Sequence, residues 1–274
     1  MNSTQLIESQ PTTHNNEETQ QELEIPSYNE VCHIINNLKL NKAPGSDGIP
    51  PELIKHGGRT LKQRLFKLIS KIWDEERIPD QWKEGIICPI FKKGDRMECN
   101  NYRPITLLNI VYKIFAIILN KRLTAITEKK LDEYQMGFRP NRSTIDNIFI
   151  VRQIFEKCHE YKIDLHNIFV DYSQAFDSIS RSKVIESLHF YEVPTKLIKL
   201  ITLTLTDITA RVKVSNKLSE SFKVQFGVRQ GDPLSATLFS LVIDFILKQM
   251  DMRGNISTKL KQCIAYADDV MITA

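Results

Sequence analysis

The sequence lacks the features that would staple or anchor a chain. Its five cysteines, Cys32, Cys88, Cys99, Cys158 and Cys263, are odd in number and show neither CxxC nor Cys/His spacing, so neither a disulfide framework nor a zinc site is suggested. No apolar run reaches the roughly 18 residues of a membrane span. The N-terminus MNSTQLIESQPTTHNNEETQ has no basic and apolar leader, so the chain is expected to be soluble, intracellular and free of membrane contact. Lys and Arg are missing from residues 1 to 30, which hold six acids, and no internal repeat is visible. What is present is 274 residues with 42% hydrophobic content, enough to bury a sizeable core in one large domain or two small ones.

The positive charge is unevenly spread. Residues 39 to 142 hold 21 Lys and Arg against 12 Asp and Glu, whereas residues 143 to 274 hold 16 against 15. A basic block suits a polyanionic partner, because neutralising phosphates releases counterions. Solvated helix faces are also Lys-rich, so charge alone leaves nucleic-acid binding open.

Residues 1 to 26 are polar, lack apolar periodicity and end at Pro26, which reads as a disordered linker. Ser27 and Glu30 form a capping-box pattern for a helix with Val31, Ile34, Ile35 and Leu38 on one face, ending near Leu40. After the loop NKAPGSDGIP, residues Leu61, Leu65, Leu68, Ile69, Ile72 and Trp73 trace a second, long helix closed off by Pro79. GIICPIFKK (85 to 93) reads as a short buried strand, followed by a turn and an apolar helix from about 109 to 126. Ser143 or Thr144 caps a further helix with Ile145, Ile148, Phe149 and Phe155 inward. The strand NIFVDY, helices at about 181 to 191 and 194 to 207, and a hairpin of RVKVS and SFKVQFGV follow. A helix over about 235 to 251 precedes two strand-like runs, KQCIAY and VMITA, separated only by ADD. Strands mixed irregularly with helices predict an α+β fold.

Three acids stand out. Asp171 ends an apolar strand, and Asp268 and Asp269 occupy a turn so tight that its flanking strands form a hairpin. Adjacent carboxylates repel and cost desolvation unless a cation lies between them and a third acid, a role suited to magnesium with its oxygen ligands. Two such ions about 3.5 to 4 Å apart clamp the attacking and leaving oxygens of a phosphoryl displacement. Asp is equally a favoured turn residue and strand cap, so the residues alone leave both readings open.

The motifs, in order, resemble the reverse transcriptases of non-long-terminal-repeat (LINE-like) retrotransposons across nearly all of residues 27 to 274. NKAPGSDGIP (41 to 50) is similar to the opening motif, and WKEGIICPIFKKGDRMECNNYRPITLL (82 to 108) to the fingers motif. QMGFRPNRST (135 to 144) resembles the template-handling motif. FVDYSQAFDSI (169 to 179) and GVRQGDPLSATLF (227 to 239) resemble the two palm motifs, and YADD (266 to 269) the metal-binding hairpin. YADD by itself would be weak; the order of all six carries the resemblance.

The resemblance implies a right-hand polymerase with a fingers-type region over 27 to 160 and a palm over 161 to 274 that stops before its thumb. It implies an RNA-directed DNA polymerase, with a catalytically weak nucleic-acid-binding remnant as the alternative. Asp171, Asp268 and Asp269 would be catalytic and would hold two Mg2+ ions, or Mn2+ in their place, with Asp269 the least certain ligand. Lys92, Lys93 and Arg103 would reach the triphosphate, Arg103 foremost, since its fork suits phosphate oxygens. Phe176 would exclude a 2′-hydroxyl or be plain core, and Asp177 would be structural. Gln230 and Gly231 would contact nucleotide and template, and Arg139 would contact nucleic-acid backbone or hold its loop by a salt bridge. The implied partners are an RNA template, including the element's own RNA, a DNA primer and dNTPs, met in the nucleus at chromosomal targets and otherwise in the cytoplasm. Ser173 and Gln174 depart from the basic residues common there.

Overall fold

A computed structural model describes residues 23–249 and 263–273. The polar lead expected over 1 to 26 therefore lies outside the described residues up to residue 22, as do the end of the helix expected to reach 251 and the first residues of KQCIAY.

Helix α1 (Tyr28–Asn36) begins where Ser27 Oγ accepts the Glu30 N–H at 3.1 Å. The Glu30 carboxylate goes instead to Arg122, at 2.8 Å. The helix stops at Asn36, short of Leu40, because the Asn37 side chain and backbone N–H turn back onto the last carbonyls. The long helix expected next is preceded by a short one: α2 (Pro51–His56) and α3 (Gly58–Glu75) part at Gly57. A side chain at Gly57 would strike Leu61 and the Leu53 carbonyl. Leu65, Ile69, Ile72 and Trp73 face the core as expected, but Leu68 falls outside the stripe and is exposed.

β1 (Glu84–Phe91) is only half-buried, and NNYRPITLL supplies an unexpected second strand, β2 (Tyr102–Leu107), antiparallel to it with Ile90 opposite Arg103. α4 (Ile110–Thr127) is apolar nearly all round and buries Tyr112, Ile114, Phe115, Ile118, Leu119 and Leu123, the pattern of a central helix. α5 (Thr144–Tyr161) starts at Ser143 with a complete capping box to Asp146. Its expected inward face is not inward: Ile145, Ile148, Phe149 and Phe155 are all exposed, Ile145 at 73%. Among the described residues the helix packs chiefly against β7 (Cys263–Tyr266), and Ile148 and Phe155 border a cavity of about 510 Å³ there. Ser143→Ala is expected to cost about 1 kcal/mol, read as faster amide exchange confined to α5, since so little packing holds this helix.

The remaining elements are β3 (Asn167–Asp171), α6 (Ala175–Ser178), α7 (Arg181–Phe190), α8 (Thr195–Leu205), β4 (Thr209–Val214), β5 (Lys217–Leu218), β6 (Phe222–Lys223), α9 (Ser235–Gln249), β7 (Cys263–Tyr266) and β8 (Asp269–Thr273). Of the expected hairpin, RVKVS forms β4, whereas SFKVQFGV contributes only the two residues of β6. One sheet runs β2-β1-β4-β5 with β6 also on β4, and the other β3-β8-β7. β4 pairs in parallel with β1, from Glu84 opposite Thr209 to Ile87 opposite Val212. The expected boundary near residue 160 is thus crossed by a sheet, and one hydrophobic core runs through α1, α3, α4, α7, α8 and α9.

Candidate active site

The second sheet presents its acids at one end. β3 and β8 pair antiparallel with Asp171 directly opposite Asp269, and Tyr266 of β7 lies opposite Asp269 on the other side. Directly opposed residues share a sheet face, so Asp171, Asp269 and Tyr266 stand together. Alternation sends Val170, Val270 and Ala265 to the other face, into the core. That apolar face thus fixes the strands while the ends of β3 and β8 hold exposed carboxylates. Asp268 sits half-buried in the turn, after Ala267 in left-handed backbone at φ 58°.

Among the described residues no group of three His, Cys, Asp or Glu is close enough to hold a metal ion. The donor chemistry nonetheless fits a hard divalent cation: two carboxylates opposed on one face, with a third acid in the adjoining turn.

The hairpin of β1 and β2 meets the segment that follows β3. Gln174, just past β3, donates to Asn100 at 3.2 Å. Lys92 lies near enough to Asp177 to favour its ionised form, although burial, the larger effect, raises that carboxyl above its ordinary range and a bond from Gln230 opposes the rise. Lys92, Lys93 and Arg103 are exposed, and their side chains have no ion pair among the described residues. Gln230 donates to Asp177 at 2.7 Å, and its carbonyl accepts from the Thr106 N–H of β2 at 2.7 Å. Gly231, at φ 110°, lies against the Thr106 carbonyl, where a side chain would collide. Phe176 stacks on Phe239 of α9 with centroids 4.8 Å apart and meets Phe138 edge-on, which leaves it half-buried.

Arg139 is not at an open surface. Its guanidinium donates to the Glu128 carboxylate at 3.0 Å and to the carbonyls of Glu128, Asp132 and Gln135, with the side chain 7% exposed. It bolts the loop from 128 to 139 together, which is the salt-bridge alternative expected for this residue and not the contact with nucleic-acid backbone.

Sequence reasoning passed over two buried polar clusters. Asp244 of α9, fully buried, accepts from Tyr191, from the Asp132 N–H at 3.4 Å and from Lys248 at 3.0 Å. Arg229 and Asp232 pair at 3.0 Å beneath the second palm motif, with Tyr112 donating to Asp232. An Arg and an Asp three residues apart around Gln230 and Gly231 were the available signal for the latter; a lone Asp in an apolar helix was the signal for Asp244.

A mixed fold with a carboxylate-bearing sheet beside a fingers-type hairpin is that of a polymerase fingers and palm. Its backbone is similar to that of the apo telomerase from Candida tropicalis truncated from its C-terminal domain, with a TM-score of 0.51 and 14% identity over 77% of this chain and 49% of that one. The pattern described as "Reverse transcriptase (RNA-dependent DNA polymerase)" matches residues 90–274, and the chain belongs to that family. Related sequences include the Transposon TX1 uncharacterized 149 kDa protein of Xenopus laevis, 27% identical over 94% of this chain and 20% of that protein. The Retrovirus-related Pol polyprotein from type-2 retrotransposable element R2DM of Drosophila melanogaster is 27% identical over 86% of this chain and 22% of its own length. The RNA-directed DNA polymerase from mobile element jockey, also of Drosophila melanogaster, is 29% identical over 77% and 23%. The chain therefore spans about a fifth of the length of these relatives.

Proposed function

We propose that the chain is the fingers and palm of a retrotransposon RNA-directed DNA polymerase that adds dNTPs to a DNA primer 3′-hydroxyl on an RNA template. The observation that carries this reading is the in-register opposition of Asp171 and Asp269, with Asp268 in the adjoining turn; the segment just past β3 meets, through Gln174 and Asn100, a hairpin whose Lys92, Lys93 and Arg103 are exposed.

Asp171, Asp268 and Asp269 are the residues that would hold Mg2+, or Mn2+ in its place. When bound, such ions lower the pKa of the attacking hydroxyl and neutralise charge on the leaving phosphates. The chain's own residues bind and orient. Arg103 offers a planar fork to phosphate oxygens, and the two lysines offer mobile point charges. Phe176, held between Phe138 and Phe239, presents a rigid ring where the sugar of the incoming nucleotide lies in this reading. Gln230 and Gly231 form the turn that backs the nucleotide, with the turn's position set by Asp177 and Thr106.

Primer extension on an RNA template with Mg2+, with Asp268→Asn as control, tests the reading. RNA-templated extension that this substitution abolishes is expected. Binding of template and primer without extension by the unaltered protein, or extension insensitive to Asp268→Asn, would overturn it in favour of a nucleic-acid-binding remnant.

A further inference from the structure

We infer that Gln135 is a positioning residue for the acid-bearing turn, acting from outside the hairpin that carries the acids; the inference rests on the polymerase reading above. The turn between β7 and β8 has only Ala267 and Asp268 between its strands. Ala267 is a non-glycine residue in left-handed backbone, a conformation that persists only when its surroundings over-determine it. Its N–H has no backbone acceptor among the described residues.

Gln135 supplies what the turn lacks. Its side chain is wholly buried, and Oε1 accepts from the Ala267 N–H at 3.1 Å and from the Gly137 N–H at 3.0 Å. Nε2 lies 3.5 Å from the Ala267 carbonyl, so both backbone groups of the left-handed residue face one amide. The clasp is held on its own side. Residues 134 to 136 run along the free edge of β7, with the Ala265 N–H bonded to the Tyr134 carbonyl and the Met136 N–H to the Ala265 carbonyl, each at 2.9 Å. Gly137 passes so close to Ala267 that a β-carbon would collide with its backbone. Arg139 fixes the Gln135 carbonyl at 3.0 Å, and Lys248, paired with Asp244, reaches the Asp132 carboxylate at 3.7 Å. A loop anchored at both ends thus dictates where Asp268 sits relative to Asp171 and Asp269.

A turn held this way sets carboxylate geometry without touching substrate, so its loss falls on turnover and not on nucleotide affinity. A misplacement of about 1 Å costs on the order of a hundredfold in rate. Gln135→Met, similar in length but only a weak acceptor and no donor, is expected to lower kcat for extension by about ten- to a hundredfold with KM for dNTP near its original value. Residue-resolved hydrogen exchange on the same protein supplies the second reading, and it does not require activity. The Ala267 amide of the unaltered chain is expected to be protected at least about tenfold, and to lose that protection in Gln135→Met while Val170 and Ile272 keep theirs. An Ala267 amide that exchanges freely in the unaltered chain overturns the clasp even if the variant fails to fold. Lost protection with unchanged kcat overturns the positioning role. Failure of the unaltered protein to extend primers overturns the polymerase reading instead, and leaves the exchange result to judge the clasp.

Discussion

Asp171→Asn is expected to reduce RNA-templated extension by about a thousandfold or more while leaving thermal stability unchanged or slightly raised. The rate effect follows from charge. Carboxylate-held cations supply several kcal/mol of transition-state stabilisation, and each 1.36 kcal/mol is tenfold in rate. A neutral amide is a poor ligand for a hard cation and cannot replace that charge. The stability effect follows from place. Asp171 is exposed at the end of β3, and its side chain makes no hydrogen bond or ion pair among the described residues. It faces Asp269 across the strand pair, where like charges directly opposed are destabilising. Asparagine keeps the shape and removes that repulsion. Extension assays beside thermal melts separate the two effects: a variant within tenfold of the original rate would remove Asp171 from the chemistry, and a large fall in melting temperature would make it a structural residue.

The parts of the fold legible in the sequence were those whose signal is local. Ser27 and Ser143 marked their helices correctly, and the periodic stripe of α3 found its core face except at Leu68. The paired strands around Ala267 and Asp268 were forced by the brevity of the turn between them. Expectations failed where the outcome depended on what lies across the fold. The apolar residues of α5 have helical spacing, yet spacing cannot say whether anything covers them, and Ile145, Ile148 and Phe149 stay exposed. β2 escaped notice because Pro104 interrupts its alternation and its partner is β1. The split at residue 160 was implied by the resemblance, whereas the parallel pairing of β1 with β4 depends on backbone bonds across the fold that no local motif encodes. The candidate site divides the same way. Asp171 could be placed at a strand end from its neighbours alone, but the sequence could not choose between the two roles of Arg139, because its acceptors, three of them backbone carbonyls, exist only once the loop has folded.

The other large effect expected is on stability, from the ion pair beneath the second palm motif. Arg229 and Asp232 are 6% and 5% exposed, and their surroundings leave little to spare: Arg229 also donates to the Trp82 carbonyl at 3.2 Å and lies 4.4 Å from the Tyr112 ring centre. Asp232 accepts from the Leu234 N–H at 3.0 Å and from Tyr112, whose hydroxyl is held far above the ordinary tyrosine range by burial first and by the Asp232 charge second. Both effects favour the protonated hydroxyl, the form that donates to Asp232. Asp232→Ala strands a guanidinium in this interior and is expected to cost about 3 to 5 kcal/mol, against which the double change Arg229→Met, Asp232→Ala recovers a large share. Denaturant melts of the two single variants and the double variant close the cycle; additive losses would mean that the charges do not depend on each other. The consequence reaches the chemistry, because the same six residues, 227 to 232, present Gln230 to Asp177 and press Gly231 against Thr106. A buried pair that is no net source of stability over a hydrophobic substitute still fixes one geometry for this turn, so the double variant should fold well and extend primers poorly.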